Sequence, residues 1–156
     1  MKILLRLFFS FGLSILVFCL GCTGRTMLSA NAAGFSNASL VGGYSLSETG
    51  ETLGTGSIKF AEVDVVTFDG VGRLSGHGTM NEGGTICAST VTGTYNVNAD
   101  GSGSATLIQT PDAASAAGGC TTISFPLALI ISDAGAEVQF IEVSTGEIAS
   151  GIARRQ

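Results

Sequence analysis

The sequence predicts an all-β, antiparallel protein, and three observations carry that expectation. From Ala33 onward no segment keeps the 3.6-residue apolar rhythm of an amphipathic helix. Short runs of β-branched and aromatic residues recur instead, and most end in Gly, Asp or Asn. Glycine supplies 23 of 156 residues and charged residues only 12%. Glycine is thus roughly twice as common as usual and charge about half. Because the glycines are dispersed through Thr-, Val- and Ser-rich sequence, they indicate many tight turns, not disorder.

The elements follow in order. Leu40 to Glu48 is a first strand, and a Gly/Thr-rich loop through Gly54 and Gly56 leads into Ile58 to Phe68. Asp69-Gly70-Val71-Gly72 turns the chain, since Asp-Gly tolerates the positive φ angles of hairpin turns. Arg73 to Met80 is the third strand, and Asn81-Glu82-Gly83-Gly84 turns into Thr85 to Asn98, whose β-branched residues favour a strand. Asp100-Gly101-Ser102-Gly103 reverses the chain into Ala105 to Thr110. Residues 111–119 open with Pro111, are rich in Ala, Ser and Gly, and form the one substantial loop. Thr121 to Ser132 carries the clearest strand signal, with Ile123, Phe125, Leu127, Leu129 and Ile131 alternating onto one face. Asp133-Ala134-Gly135 turns into Glu137 to Val143, and Thr145-Gly146 into Ile148 to Arg154.

About eight strands joined mainly by short turns can only lie antiparallel to their neighbours. A closed up-and-down barrel is the expected architecture, because closure removes the edges that an open sheet would expose. A two-sheet β-sandwich is the alternative.

Residues 1–32 read as a signal peptide, leaving residues 33–156 as a single barrel domain. Met1, Lys2 and Arg6 supply the positive start, and Leu7 to Leu20 is a nearly unbroken apolar run of h-region length. That run is short for a membrane span, which takes about 20 apolar residues. Ala30-Asn31-Ala32 has the small-x-small pattern of a signal peptidase site. Cys19-Leu20-Gly21-Cys22 instead resembles a lipobox, with Leu one place too close to Cys22, the candidate lipidation site. The reading favours soluble release to the periplasm or exterior over a membrane-anchored lipoprotein. Contact with a membrane is expected only through the signal segment or a lipid at Cys22.

Removal of residues 1–32 takes away Lys2, Arg6 and Arg25 and leaves four basic against twelve acidic residues, a net charge of −8. Such a domain repels phosphate backbones and anionic membranes, so nucleic acid is not expected as a partner. Cys87 and Cys120 are the two cysteines left in the domain. An even pair in an oxidising compartment reads as one disulfide. They fall at the same end of an up-and-down barrel on strands four and six, roughly 9 to 10 Å apart. A disulfide accepts at most about 7 Å between Cα atoms, so the 111–119 loop must fold across the end of strand five.

No catalytic constellation emerges, and a binding or structural protein is favoured over an enzyme. His77, the only histidine, lies between Gly76 and Gly78 on the parity opposite Leu74 and Met80 and should face solvent, with no nucleophile-elbow motif to join it. Asn96, Asn98, Asp100, Gly101 and Ser102 imitate the first half of a calcium loop, but Leu107 stands where the bidentate Glu is required. A polar hairpin turn is the better reading, and neither a metal nor a cofactor is expected. Glu62 and Asp64 share the parity of Phe60, Val66 and Phe68, which would place two carboxylates on an apolar face suited to acid-base chemistry. A bulge at Ala61 or Glu62, turning both outward and burying Val63 and Val65, is the favoured alternative.

Tyr44, Phe60, Phe68, Tyr95, Phe125 and Phe140 are the aromatic residues available to an interior. Of these, Tyr44, Phe68, Tyr95, Phe125 and Phe140 are the candidate ligand-lining residues. An eight-stranded barrel is either packed solid or hollow enough for one small ligand, and the many small side chains tilt the expectation toward a solid core.

Phe35-Ser36-Asn37-Ala38-Ser39-Leu40, Gly43-Tyr44, Thr67-Phe68-Asp69-Gly70, Gly93-Thr94-Tyr95-Asn96-Val97-Asn98, Asp100-Gly101 and the closing Gly151-Ile152-Ala153-Arg154-Arg155-Gln156 resemble a family of small exported bacterial proteins. The resemblance covers most of residues 35–156 and implies an allene-oxide-cyclase-like or lipocalin-like barrel. Its motifs are turns and strand ends, so it speaks to fold and not to activity. Two functions remain open: an exported barrel holding an apolar small molecule in its lumen, or a structural or interaction protein of the envelope with a filled core. An isomerase or cyclase would rest on fold analogy alone.

Overall fold

A computed structural model describes residues 34–156. The expected signal peptide over 1–32, its processing site and Cys22 lie outside the described residues. The described chain forms eight strands: β1 (Val41–Thr52), β2 (Ile58–Asp69), β3 (Arg73–Glu82), β4 (Thr85–Val97), β5 (Ser102–Pro111), β6 (Ile123–Ser132), β7 (Glu137–Glu142) and β8 (Glu147–Arg155). Each pairs antiparallel with the next, and β8 pairs with β1, so the sheet closes on itself. The barrel, not the sandwich, is therefore the architecture.

Turn chemistry explains the connections. Asp69 Oδ1 accepts from the amides of Val71, Gly72 and Arg73 at 2.8, 3.0 and 2.9 Å, which occupies three donors of the β2–β3 turn. Asp100 Oδ1 accepts from Ser102 N at 2.9 Å and Ser102 Oγ at 2.7 Å, so the calcium-like stretch is a polar hairpin turn. The expected loop after β5 holds a short helix, α1 (Ala113–Ala117). Asp112 caps it by accepting from Ser115 N at 2.7 Å, and the alanine-rich sequence propagates the single turn.

β2 corrects one expectation. Its register with β1 and β3 runs without a break, and its burial alternates strictly from Glu62 onward. There is no bulge: Glu62 and Asp64 face inward, while Val63 is 63% exposed and Val65 38%. The physical reason lies partly on β3. Gly78 is the register partner of Asp64, and a Cβ built on it would sit 1.4 Å from Asp64 Oδ1. The carboxyl occupies the space that any larger residue would fill.

The two barrel ends differ. At one end the segment before β1, with a 3-10 turn over Asn37–Ser39, folds over the opening. Tyr95 Oη donates to Leu40 O (3.0 Å) or Asn37 O (3.2 Å), and Asn37 Oδ1 accepts from Val97 N at 2.8 Å. Tyr44, Phe68 and Tyr95 stack edge to face beneath this cap, with successive centroids 5.0 Å apart. Leu40, Val66, Val91, Leu107, Leu129, Val138 and Phe140 complete a packed core in this half. The other end carries the β1–β2, β3–β4 and β7–β8 turns together with α1.

Candidate ligand-binding site

The half-barrel below α1 contains a cavity of about 270 Å³. Every strand contributes to its wall. Phe60, Met80, Ile123 and Phe125 form its apolar part. Glu48, Glu62, Glu142 and Glu147 form an acidic wall on the contiguous strands β7, β8, β1 and β2. Ser89 and Gln109 contribute from β4 and β5. Gly118 to Thr121, between α1 and β6, make part of the rim.

The carboxyl groups are inside the protein. Glu48 is 4% exposed, Glu62 4%, Asp64 5% and Glu142 9%. Glu48 and Glu62 are register partners on β1 and β2, and Asp64 follows one inward position deeper. Gln109 Nε2 donates to Glu62 Oε1 from β5. Glu48 Oε1, Asp64 Oδ1 and Glu142 Oε1 are buried and meet no hydrogen-bond partner among the described residues. The one ion pair among those residues, Arg154 to Glu137 at 3.1 Å, is on the outer face and leaves these acids uncompensated.

Burial without a cation favours the protonated form. It pushes Glu48 up to about 8, helped by the charges of Glu62, Glu142 and Glu147. Asp64 is likewise pushed up to about 8, first by burial, then by the charge of Glu62 and a hydrogen bond with it, then by Glu48. Glu62 rises by burial, while hydrogen bonds from Asp64 and Gln109 pull it back down. Glu147 rises to about 7, first through its hydrogen bond with Glu142, then through burial. Such groups can hold or release protons near neutrality.

The five expected lining residues divide between the halves. Phe125 lines the cavity, whereas Tyr44, Phe68, Tyr95 and Phe140 belong to the packed core of the closed half. His77 is exposed on the outer face, and its register partners are Val65 and Thr90. Cys87 and Cys120 form a disulfide with 6.0 Å between Cα atoms. As the spacing requires, the segment after β5 crosses to β4: Asp112 N donates to Ala88 O at 2.9 Å, and Ser115 Oγ accepts from Ala88 N at 2.9 Å.

Sequence reasoning missed Glu48, Gln109, Glu142 and Glu147. A parity signal was present for three of them: Glu48 continues the inward series of Tyr44 and Leu46, Gln109 that of Ala105 and Leu107, and Glu142 that of Val138 and Phe140. Among the described residues no three His, Cys, Asp or Glu groups converge as a metal-ligand set. The closed eight-stranded barrel is consistent with a lipocalin-like architecture. No family model, curated protein or solved structure matches the chain.

Proposed function

We propose that this barrel is a binding module that takes one small molecule into the open half of its lumen. The cavity of about 270 Å³ carries the reading. It lies just under the roughly 300 Å³ at which sites for drug-sized ligands begin, so a compact ligand fits it. The mixed wall favours an amphipathic molecule over the wholly apolar one that the aromatic inventory alone would suggest. The packed half serves as a floor, holding the ligand at one end of the barrel.

We also read the protein as exported to the periplasm or exterior. The charged start, the apolar run to Leu20 and Ala30-Asn31-Ala32 support this, as does a disulfide in the domain. Mass spectrometry of native protein tests it through the N-terminus: a chain starting at Ala33 is expected. A lipidated Cys22 would replace release with anchoring, and an intact Met1 would reject export with cleavage.

The binding test uses an uncharged, environment-sensitive dye. Saturable binding at about micromolar Kd, near −8 kcal/mol, is expected. Met80→Trp, which fills the cavity, should abolish it while circular dichroism stays that of the barrel. Binding that survives Met80→Trp, or none in the parent protein, would reject the lumen site. It would leave the structural role, for which the solid packing of the closed half is the supporting observation.

A further inference from the structure

Resting on the reading of the open half-lumen as a binding site, we infer that its ligand is a small organic cation, a protonated amine on a short apolar body. The ammonium would be held by Glu48 and Glu142 and the body by Phe60, Met80, Ile123 and Phe125.

The argument begins with what faces the cavity. β1 contributes Glu48, β2 Glu62, β3 Glu82, β7 Glu142 and β8 Glu147, while β4, β5 and β6 contribute no charged group. Lys59 is exposed and pairs with Glu51 on the β1–β2 ladder, on the parity opposite Glu62 and Glu48. Every charge that meets the cavity from the described residues is therefore a carboxyl. A carboxylate or phosphate ligand would be repelled, and a hydrocarbon would leave the polar wall unmatched.

The second observation is the state of the acceptors. Glu48 Oε1 and Glu142 Oε1 are buried, and no donor in the described chain reaches them. A buried acceptor without a donor is costly, and an ammonium brings three donors and the complementary charge. Charge-assisted bonds to carboxylates are the stronger kind. A bare divalent ion fits less well, since calcium takes six to eight oxygen ligands and the acids do not converge as a metal set. The apolar wall beside the acids accounts for the rest of the ligand.

Binding then exchanges one cation for another. The protonated carboxyl of Glu48 gives its proton to solvent as the ammonium docks, so charge in the cavity is conserved and one proton leaves per amine bound. Because burial and the neighbouring acids push Glu48 up to about 8, it holds that proton at pH 7. At pH well above 8 the proton is already gone and its release should vanish.

The test is calorimetry of the mature protein with hexylammonium, hexanol and hexanoate, repeated at pH 7 in two buffers of different ionisation enthalpy. Hexylammonium should bind at least about tenfold more tightly than the other two, the size expected of a charge-assisted bond. About one proton should be released per amine, and Glu48→Gln should collapse the preference for amine over alcohol. Glu142→Gln gives a second measure of the same loss. Equal binding of amine and alcohol without proton release would overturn the cation assignment and leave the lumen site standing. Stoichiometric binding of calcium alone that blocks hexylammonium would overturn it in favour of a metal. Loss of the uncharged dye as well would mean that the lumen reading itself had failed.

Discussion

Glu48 and Glu62 face one another across the β1–β2 ladder, both turned into the barrel and both 4% exposed. Like charges directly opposed on a sheet destabilise it, and burial adds to the cost of ionising either. The pair is tolerated because a protonated carboxyl is a neutral group. Stability should therefore depend on pH in an unusual direction.

Glu48 and Asp64 have folded-state values near 8, above their ordinary 4.5 and 3.8. Between those limits the native state binds more protons than the unfolded chain, so its stability falls as pH rises and levels off above about 8. The loss should be on the order of a few kcal/mol, less than the separate shifts would sum to because the acids interact. Asp69, Asp100, Asp112 and Glu137 are held below their ordinary values by backbone or side-chain donors, so their contribution is lost as pH falls. Thermal melting from pH 3 to 9 should give a maximum near about pH 4 to 5, where the depressed acids are largely ionised and the raised ones still hold most of their protons. A Tm that rises steadily toward pH 9 would contradict this.

The packing of Asp64 against Gly78 gives a second expectation. Gly78→Ala drives a methyl into Asp64 Oδ1 and to 3.0 Å from Val63 O, and overpacking of this kind costs about 1 to 3 kcal/mol. Asp64→Ala vacates that space and removes a buried acid. The double variant should lose less than the sum of the two single changes, a coupling read by denaturant unfolding. Strict additivity would show that the close approach carries no energy.

These same residues mark how far the sequence could be read. The alternation from Ile123 to Ile131 and the turn residues after Phe68, Met80 and Asn98 located strands to within a few residues, because period and turn chemistry are local properties. Helix α1 escaped because its single turn depends on the Asp112 cap and on docking to β4. Glu62 and Asp64 had inward parity in the sequence, but buried charge made a bulge the cheaper expectation. What reversed it is non-local: Gly78 on β3, Gln109 on β5 and the burial that favours the neutral, protonated form of these acids. Position along the barrel axis was equally hidden. Tyr44 near the start of β1, Phe68 near the end of β2 and Tyr95 near the end of β4 fall at one end, so they pack together, while Phe60 at the start of β2 falls at the other.

The disulfide should act on stability without defining the fold. Its cysteines are 33 residues apart, and closing a loop of that length contributes about 3 to 4 kcal/mol in the chain-entropy model. Cys87 sits on β4, whose pairing with β3 and β5 runs through the backbone, and Cys120 lies before β6 outside any ladder. A reductant should lower Tm while the far-ultraviolet circular dichroism of the folded state stays the same. Two free thiols titrated in oxidised, denatured protein would refute the bond.

The closed end should be separable from the cavity. Tyr44 Oη donates to Gly135 O and accepts from Arg155 Nη2 at 3.0 Å and Nε at 3.2 Å. Arg155 Nη2 is also within reach of Gly135 O and Ser39 O, each at 3.1 Å. This knot joins the N-terminal cap, the β6–β7 turn and the last strand. Tyr44→Phe keeps the ring against Phe68 and removes only the hydroxyl. Arg155 loses an acceptor and Gly135 O a donor, although the Arg155 contact to Gly135 O can remain. Losing a buried hydrogen bond of this kind costs about 1 to 3 kcal/mol, which a lower denaturation midpoint should report. Dye affinity at the other end should be unchanged, because Tyr44 belongs to the packed core and does not line the cavity. A matching fall in affinity would show that the two halves of the lumen are mechanically coupled, and the closed half would then be part of the binding site.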